Sequence, residues 1–260
     1  MVDPVYFLHI EKTAGTSVHR FLTDGGGGPD YVTGQIFWDD LARGASPVTP
    51  RTRIIVGHFT GILPLWFRRW PIILTMVRDP IERSLSHINH MQRDVDYPLH
   101  ERAVGLDVVE YCADPILRRT ISDYQSRHLA SLSFARALFR PTPEESVTWG
   151  MSVAVEQALY SLDPNEGLAE AALSMIDTID AVGVTDRFDC SIAMFSKVLG
   201  WDPVPPGEPL NPAHPSQRTV ADLRPDEIEV LRDLTRIDQL VYDRAVERLD
   251  AFCDLHMAVT

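Results

Sequence analysis

Hydrophobic positions along the chain follow two periods. Short solid runs come first: Val5-Tyr6-Phe7-Leu8, then Arg53-Ile54-Ile55-Val56, then Ile72-Ile73-Leu74-Thr75-Met76-Val77. Runs of this length, rich in residues that suit strands and lacking polar alternation, predict strands buried on both faces. Elsewhere the spacing is helical. Val18, Phe21 and Leu22 share one face, and so do Ile81, Leu85, Ile88 and Val95. The helix carrying the second set has a start signal. Asp79 can cap it, Pro80 takes the first helical position, and Glu82 stands three residues after the cap.

Residues 101–177 predict mainly helix. Ile179 to Val184 predicts another strand, followed by a helix from Asp189 to Leu199. One long helix is expected from Pro225 to Phe252, with Ile228, Leu231, Leu234, Leu240, Val241 and Leu249 inside. Two stretches break the pattern. Gly25 to Pro29 predicts a flexible loop. Trp201 to Ser216 carries Pro203, Pro205, Pro206, Pro209, Pro212 and Pro215, which prevents helix and central strand, so it predicts a loop, with a lid as one role for it. Short apolar strands alternating with helices predict an α/β fold, a central parallel sheet flanked by helices. The helical insertion spans about 96–177, and all 260 residues fit one domain.

Composition narrows the function. With 45% hydrophobic and 23% charged residues the chain is ordinary for a globular protein. Its net charge of −13 argues against a general nucleic-acid binder, but leaves room for a small basic pocket. No apolar run approaches the ~20 residues that span a bilayer, and MVDPVYFLHI lacks a basic leader, so no integral membrane segment is expected and a cytoplasmic protein is the expectation. Cys112, Cys190 and Cys253 are scattered, which predicts reduced thiols and neither a disulfide framework nor a zinc site.

Two strand-to-helix junctions carry candidate chemistry. The first is Leu8-His9-Ile10-Glu11-Lys12-Thr13-Ala14-Gly15-Thr16-Ser17. Gly15 permits a tight turn, and the amides of Gly15, Thr16 and Ser17 would face outward at a helix N-terminus. Lys12 adds a full charge, and Thr16 and Ser17 add hydroxyls, so the segment has the parts of an anion cradle. It is not a Walker A loop, because Lys12 precedes Gly15 where that motif puts lysine after its second glycine. A plain strand–helix turn is the other reading. The second junction is Val77-Arg78-Asp79-Pro80-Ile81-Glu82-Arg83-Ser84-Leu85-Ser86-His87. An Arg at the end of a parallel strand borders the crevice where such sheets bind ligands. Arg78 could pair with a phosphate, with Ser86 as a further donor.

Together the two segments resemble the sulfotransferases that use 3′-phosphoadenosine 5′-phosphosulfate (PAPS). The look is that of the carbohydrate branch, which includes the heparan sulfate 2-O- and 6-O-sulfotransferases. In that family a H-I-x-K-T-A-G-T-S loop holds the 5′-phosphosulfate and an R-D-P-x-x-R-x-x-S segment holds the 3′-phosphate. Both patterns stand here in full, except that the family often has proline where this chain has Glu11. Weaker similarities are Asp123 to Leu129, with its Q-x-R core at Gln125 and Arg127, Val182 to Phe188, and Asp238 to Tyr242. The resemblance implies a P-loop-like sheet and a PAPS co-substrate released as 3′-phosphoadenosine 5′-phosphate (PAP), with no metal. It implies that Lys12, Thr13, Ala14, Gly15, Thr16 and Ser17 hold the 5′ end and that Lys12 stabilises the leaving group. Arg78 and Ser86 would hold the 3′-phosphate, and Arg218, beside the proline-rich stretch, would be a further nucleotide contact.

Sulfuryl transfer needs a base for the acceptor hydroxyl. Val56-Gly57-His58-Phe59 ends the second strand, and His58 there is similar to the Gly-His base of heparan-type enzymes. His9, His87 and His90 are rivals, with His87 and His90 expected on a solvated helix face, and Glu11 is a distant one. Trp66 to Trp70 reads as an acceptor platform or as core with solvated arginines. Arg93, Arg102, Arg118, Arg119 and Arg127 would suit an anionic acceptor, though arginines spread over helices are usually surface. The expected acceptor is a hydroxyl of a carbohydrate or small molecule. Competing expectations are a nucleotide-dependent phosphotransferase and a non-catalytic nucleotide-binding module of the same fold.

Overall fold

In the computed structural model, residues 3–27, 31–32, 53–58, 69–138, 166–202 and 217–256 are described. The apolar run Val5–Leu8 forms β1, the middle of an all-parallel sheet. Across the sheet the order is β2 (Tyr31–Val32), β3 (Ile54–Gly57), β1, β4 (Ile72–Val77) and β5 (Ala181–Val184). Four strands run four to six residues, and β2 adds two residues at the edge. Val5 lies opposite Ile54 on one side and Ile72 on the other, and Leu74 lies opposite Ala181. Every residue of β1, β3 and β5 is buried, which is why these segments show no polar alternation.

Nine α-helices are described: α1 Gly15–Leu22, α2 Pro80–Arg93, α3 His100–Ala103, α4 Val108–Ala113, α5 Tyr124–Leu138, α6 Glu166–Thr178, α7 Phe188–Leu199, α8 Pro225–Leu234 and α9 Arg236–His256. The main core joins the sheet to α1, α5, α6, α7 and α9 through residues such as Val18, Leu129, Ile176, Phe195 and Val241. A second core packs α2 against α3, α4 and α8 through Leu85, Met91, Tyr111 and Leu231. The segment expected as one helical insertion is therefore divided. Its first part belongs with α2 and α8, whereas α5 and α6 cover the sheet.

Several expectations need correction. The long last helix is two helices, broken at Thr235. Helix α2 ends at Arg93, so Val95 is exposed, and Leu240 is exposed on α9. Glu82 does not close a capping box on Asp79. The Asp79 carboxylate accepts from the Ile81 and Glu82 amides at 3.0 and 2.9 Å, but the Glu82 carboxylate turns back to Arg78. Thr23–Gly27 extends α1 as a π-helical turn rather than a loop, with Gly25 under the Trp201 ring. Cys190 and Cys253 are joined as a disulfide, not held as separate thiols. Their 63-residue separation conceals that α7 and α9 lie side by side, and Cys112 alone is free and buried. Residues 28–30, 59–68, 139–165 and 203–216 lie outside the described residues, and with them Gly28 and Pro29 of the predicted loop, Trp66, the middle of the segment expected to be mainly helical and the prolines of the suggested lid. Among the described residues no helix is long and apolar enough to cross a membrane.

Candidate functional site

The sheet order marks the edge at which open parallel sheets bind ligands. The chain leaves β1 toward β3 on one side and reaches β4 on the other, so β1 and β4 flank the point where the strand order reverses. In open parallel sheets the crevice beyond the carboxyl ends at such a point is the binding position. Three neighbouring strands deliver the residues singled out by sequence to that edge. β3 ends beside His58, β1 runs into the loop from His9 to Ala14, and β4 runs into Arg78.

The loop after β1 is wound tightly. Lys12 and Ala14 both have positive φ, 70° and 65°. Non-glycine residues in this region carry strain that surrounding contacts must hold, and such turns present successive amides to one side. Ala14 is the residue before α1, and its carbonyl accepts from the Ser17 and Val18 amides. The first amides of α1 have no acceptor within the helix. Gly15 is required by packing: a methyl there would overlap the His9 imidazole. Thr13 is buried and its hydroxyl donates to the Ile10 carbonyl at 2.8 Å, so its side chain shapes the loop, while Thr16 is exposed and Ser17 half-buried. Burial pushes the Lys12 ammonium's pKa down. Glu11 opposes that shift, and Arg93, Arg83 and Arg78 add to it. The loop lysine thus stands in a cluster of cations, a field that favours an anion.

His58 is exposed, and its Nδ1 is 3.0 Å from the His9 carbonyl. Donation from Nδ1 to that carbonyl fixes the tautomer and leaves Nε2 with the lone pair. The two imidazoles lie 4.1 Å apart. Burial first, and His58 second, push the His9 pKa well below the usual histidine value, so His9 stays neutral beside its neighbour.

Arg78 pairs with Glu82, Nη2 to Oε2 at 2.9 Å and Nε at 3.2 Å, and its guanidinium is about a quarter exposed (27%). Ser86 is half-buried two turns along α2. Arg83, a fixed residue of the same motif, turns inward instead. It is fully buried, donates from Nε to the Glu11 carbonyl at 3.1 Å and from Nη1 to the Thr120 carbonyl, and lies 3.8 Å over the Tyr124 ring. It ties α2 to the loop after β1. His87 is not on a solvated face. It is buried under Tyr97 and Tyr124, with Nδ1 3.4 Å from the Glu11 carboxylate. Arg127 is buried as well, donating to the Ser122 carbonyl. The Arg218 guanidinium is engaged with Glu227, a fully buried carboxylate, at 2.7 and 3.1 Å, and its carbonyl accepts from Asn89 on α2.

Two features were not legible from spacing. Gln125 grips the Arg78 main chain from α5, though the Q-x-R similarity was the one signal pointing to it. The Arg83 side chain points into the protein, and nothing in its local sequence distinguishes it from Arg78. Among the described residues no group of three His, Cys, Asp or Glu side chains is arranged to hold a metal. No protein-family model and no curated protein matches the chain.

Proposed function

We propose that the protein transfers a sulfuryl group from PAPS to a hydroxyl of a carbohydrate or small-molecule acceptor. The observation that carries this reading is the convergence on one sheet edge. The Lys12 loop, Arg78 and His58 leave three adjacent parallel strands at the reversal of strand order. The shape of the loop fits a nucleotide's 5′ end, since the turn through Lys12 and Ala14 opens onto the first amides of α1, which lack acceptors within the helix and offer donors to an anion.

PAPS supplies an activated sulfur bonded through oxygen to the 5′-phosphate. His58 Nε2 takes the proton of the acceptor hydroxyl as its oxygen attacks sulfur. The sulfur–oxygen bond to the 5′-phosphate breaks in line, and its electron pair stays on the phosphate of PAP. Lys12 and the α1 amides stabilise that charge. Arg78, with Ser86, takes the 3′-phosphate, exchanging its Glu82 pair for a phosphate. The 3′-phosphate is what separates this nucleotide from AMP or ATP.

The test is calorimetric titration with PAP, AMP and Mg-ATP. Tight PAP binding with much weaker AMP binding is expected, and equal binding of all three overturns the reading. Lys12→Ala should weaken PAP binding about tenfold or more. His58→Ala should leave PAP binding intact while lowering PAP release from PAPS, in a panel of glycosides and phenols, by about 10²–10⁴. Loss of PAP binding in His58→Ala would remove its assignment as the base.

A further inference from the structure

The main chain of Arg78 is held by a side chain 47 residues away. Gln125, the second residue of α5, is fully buried. Its Oε1 accepts from the Arg78 N–H at 3.0 Å, and its Nε2 donates to the Arg78 carbonyl at 2.9 Å. An amide that satisfies both polar groups of one residue imitates a neighbouring strand. The pairing of β4 with β5 ends at Val77, opposite Val184. Gln125 takes both main-chain groups of the first residue beyond that pairing, the residue whose side chain departs toward the ligand edge. Glutamate would offer only acceptors there, and methionine neither donor nor matching acceptor.

Gln125 is itself fixed from behind. Its N–H donates to Asp238 Oδ2 at 3.2 Å, and the Ser126 N–H and hydroxyl donate to Asp238 Oδ1 at 2.7 and 2.6 Å. Asp123 returns the arrangement, its Oδ1 accepting from the Ile237 and Asp238 amides at 2.8 and 3.1 Å. Helices α5 and α9 each begin on a carboxylate from the other's start. The chain of contacts from α9 through α5 to β4 ends on the two peptide groups that flank the Arg78 Cα.

We propose that Gln125 is a positioning residue for the 3′-phosphate arm of the site, setting the Arg78 peptide and so the exit of its guanidinium. The proposal rests on the sulfotransferase reading. Without the amide, the main chain at Arg78 loses both of these partners, and the guanidinium keeps the Glu82 pair it already has. The loss should appear in recognition of the 3′-phosphate and not in recognition of the rest of the nucleotide.

The experiment is calorimetry on the full chain with PAP and AMP, comparing wild type, Gln125→Met and Gln125→Glu at about pH 8 and about pH 5.5. Methionine keeps the volume and removes both bonds. Glutamate keeps the acceptor, and regains a donor only when its buried carboxyl is protonated. Gln125→Met should lose about tenfold in PAP affinity with AMP affinity unchanged. Gln125→Glu should show that loss at the higher pH and recover toward wild type, measured at the same pH, at the lower one. Wild-type PAP affinity in both variants overturns the proposal. So does an equal fall for PAP and AMP, or a Gln125→Glu deficit that ignores pH. If Gln125→Met fails to fold by circular dichroism, the Gln125→Glu pair of measurements decides alone. Wild type binding PAP no better than AMP would instead remove the proposed function before any variant is compared, and this role with it.

Discussion

His87 is 1% exposed, and neither ring nitrogen has a hydrogen-bond partner among the described residues. Burial, then Arg83, Lys12 and His90, push its pKa well below the ordinary histidine value. His9 is lowered for similar reasons, and burial pushes His128 down to about 3. The sign follows from linkage. A histidine depressed in the folded state is neutral there, while the unfolded chain binds protons below about pH 6.5. Its contribution to stability is complete above that pH and is lost as pH falls toward the folded value. Asp238 acts the other way. Burial and Asp123 raise it to about 6, so it favours folding as pH drops below that point. His19 and His90 are lowered too and Asp123 is raised, so five histidines outweigh two carboxyls, and the protein should lose stability between about pH 6.5 and 5. His87→Met removes the buried imidazole and should reduce the acid slope by about 1.4 kcal/mol per pH unit. Urea unfolding at three pH values measures it, and parallel slopes for variant and wild type would show that His87 does not carry the effect.

At the scale of elements the crossed caps explain what sequence could not. Strands β1, β3 and β4 and the start of α2 were legible because their causes are local: solid apolar runs, and an Asp-Pro pair. The break at Thr235 was not. Asp123, with φ 41°, donates its N–H to the last carbonyl of α8, Leu234, at 2.8 Å and accepts from the first amides of α9. One residue thus ends one helix and starts the next from 114 positions away, and the apolar spacing runs through the break unchanged. Asp123→Ala and Asp238→Ala should each cost about 1–3 kcal/mol, from orphaned buried amides. The double variant should cost more than the sum, because the two carboxylates repel and each single variant already gains the relief that the double can gain only once. Additive losses in urea unfolding would show the two caps to be independent.

For the whole molecule, the candidate site was legible where chemistry sits at a strand end. Lys12, Gly15, His58 and Arg78 each follow a short apolar run, and a parallel sheet gathers such ends by construction. What spans the chain stayed hidden: Gln125 on Arg78, Arg218 on Glu227, and the disulfide. Cys190 lies in the first turn of α7 and Cys253 near the end of α9, with the Arg187–Asp250 ion pair beside them. Closing a 63-residue loop stabilises mainly by restricting the unfolded chain, by about 2–4 kcal/mol. Reductant, or Cys253→Ser, should lower the melting temperature by roughly 5–10 °C. An unchanged melting curve after reduction, with free thiols counted by mass, would remove the bridge from the stability of the fold. The crossed caps also impose an order on synthesis. Asp238 emerges 113 residues after Gln125, roughly ten seconds later at ordinary elongation rates. Until then α5 lacks its cap and Gln125 its anchor. The β1 loop can wind while the ribosome is still at work, but the Arg78 side must wait for the last helices, so the nascent chain acquires the two arms of the proposed site at different times.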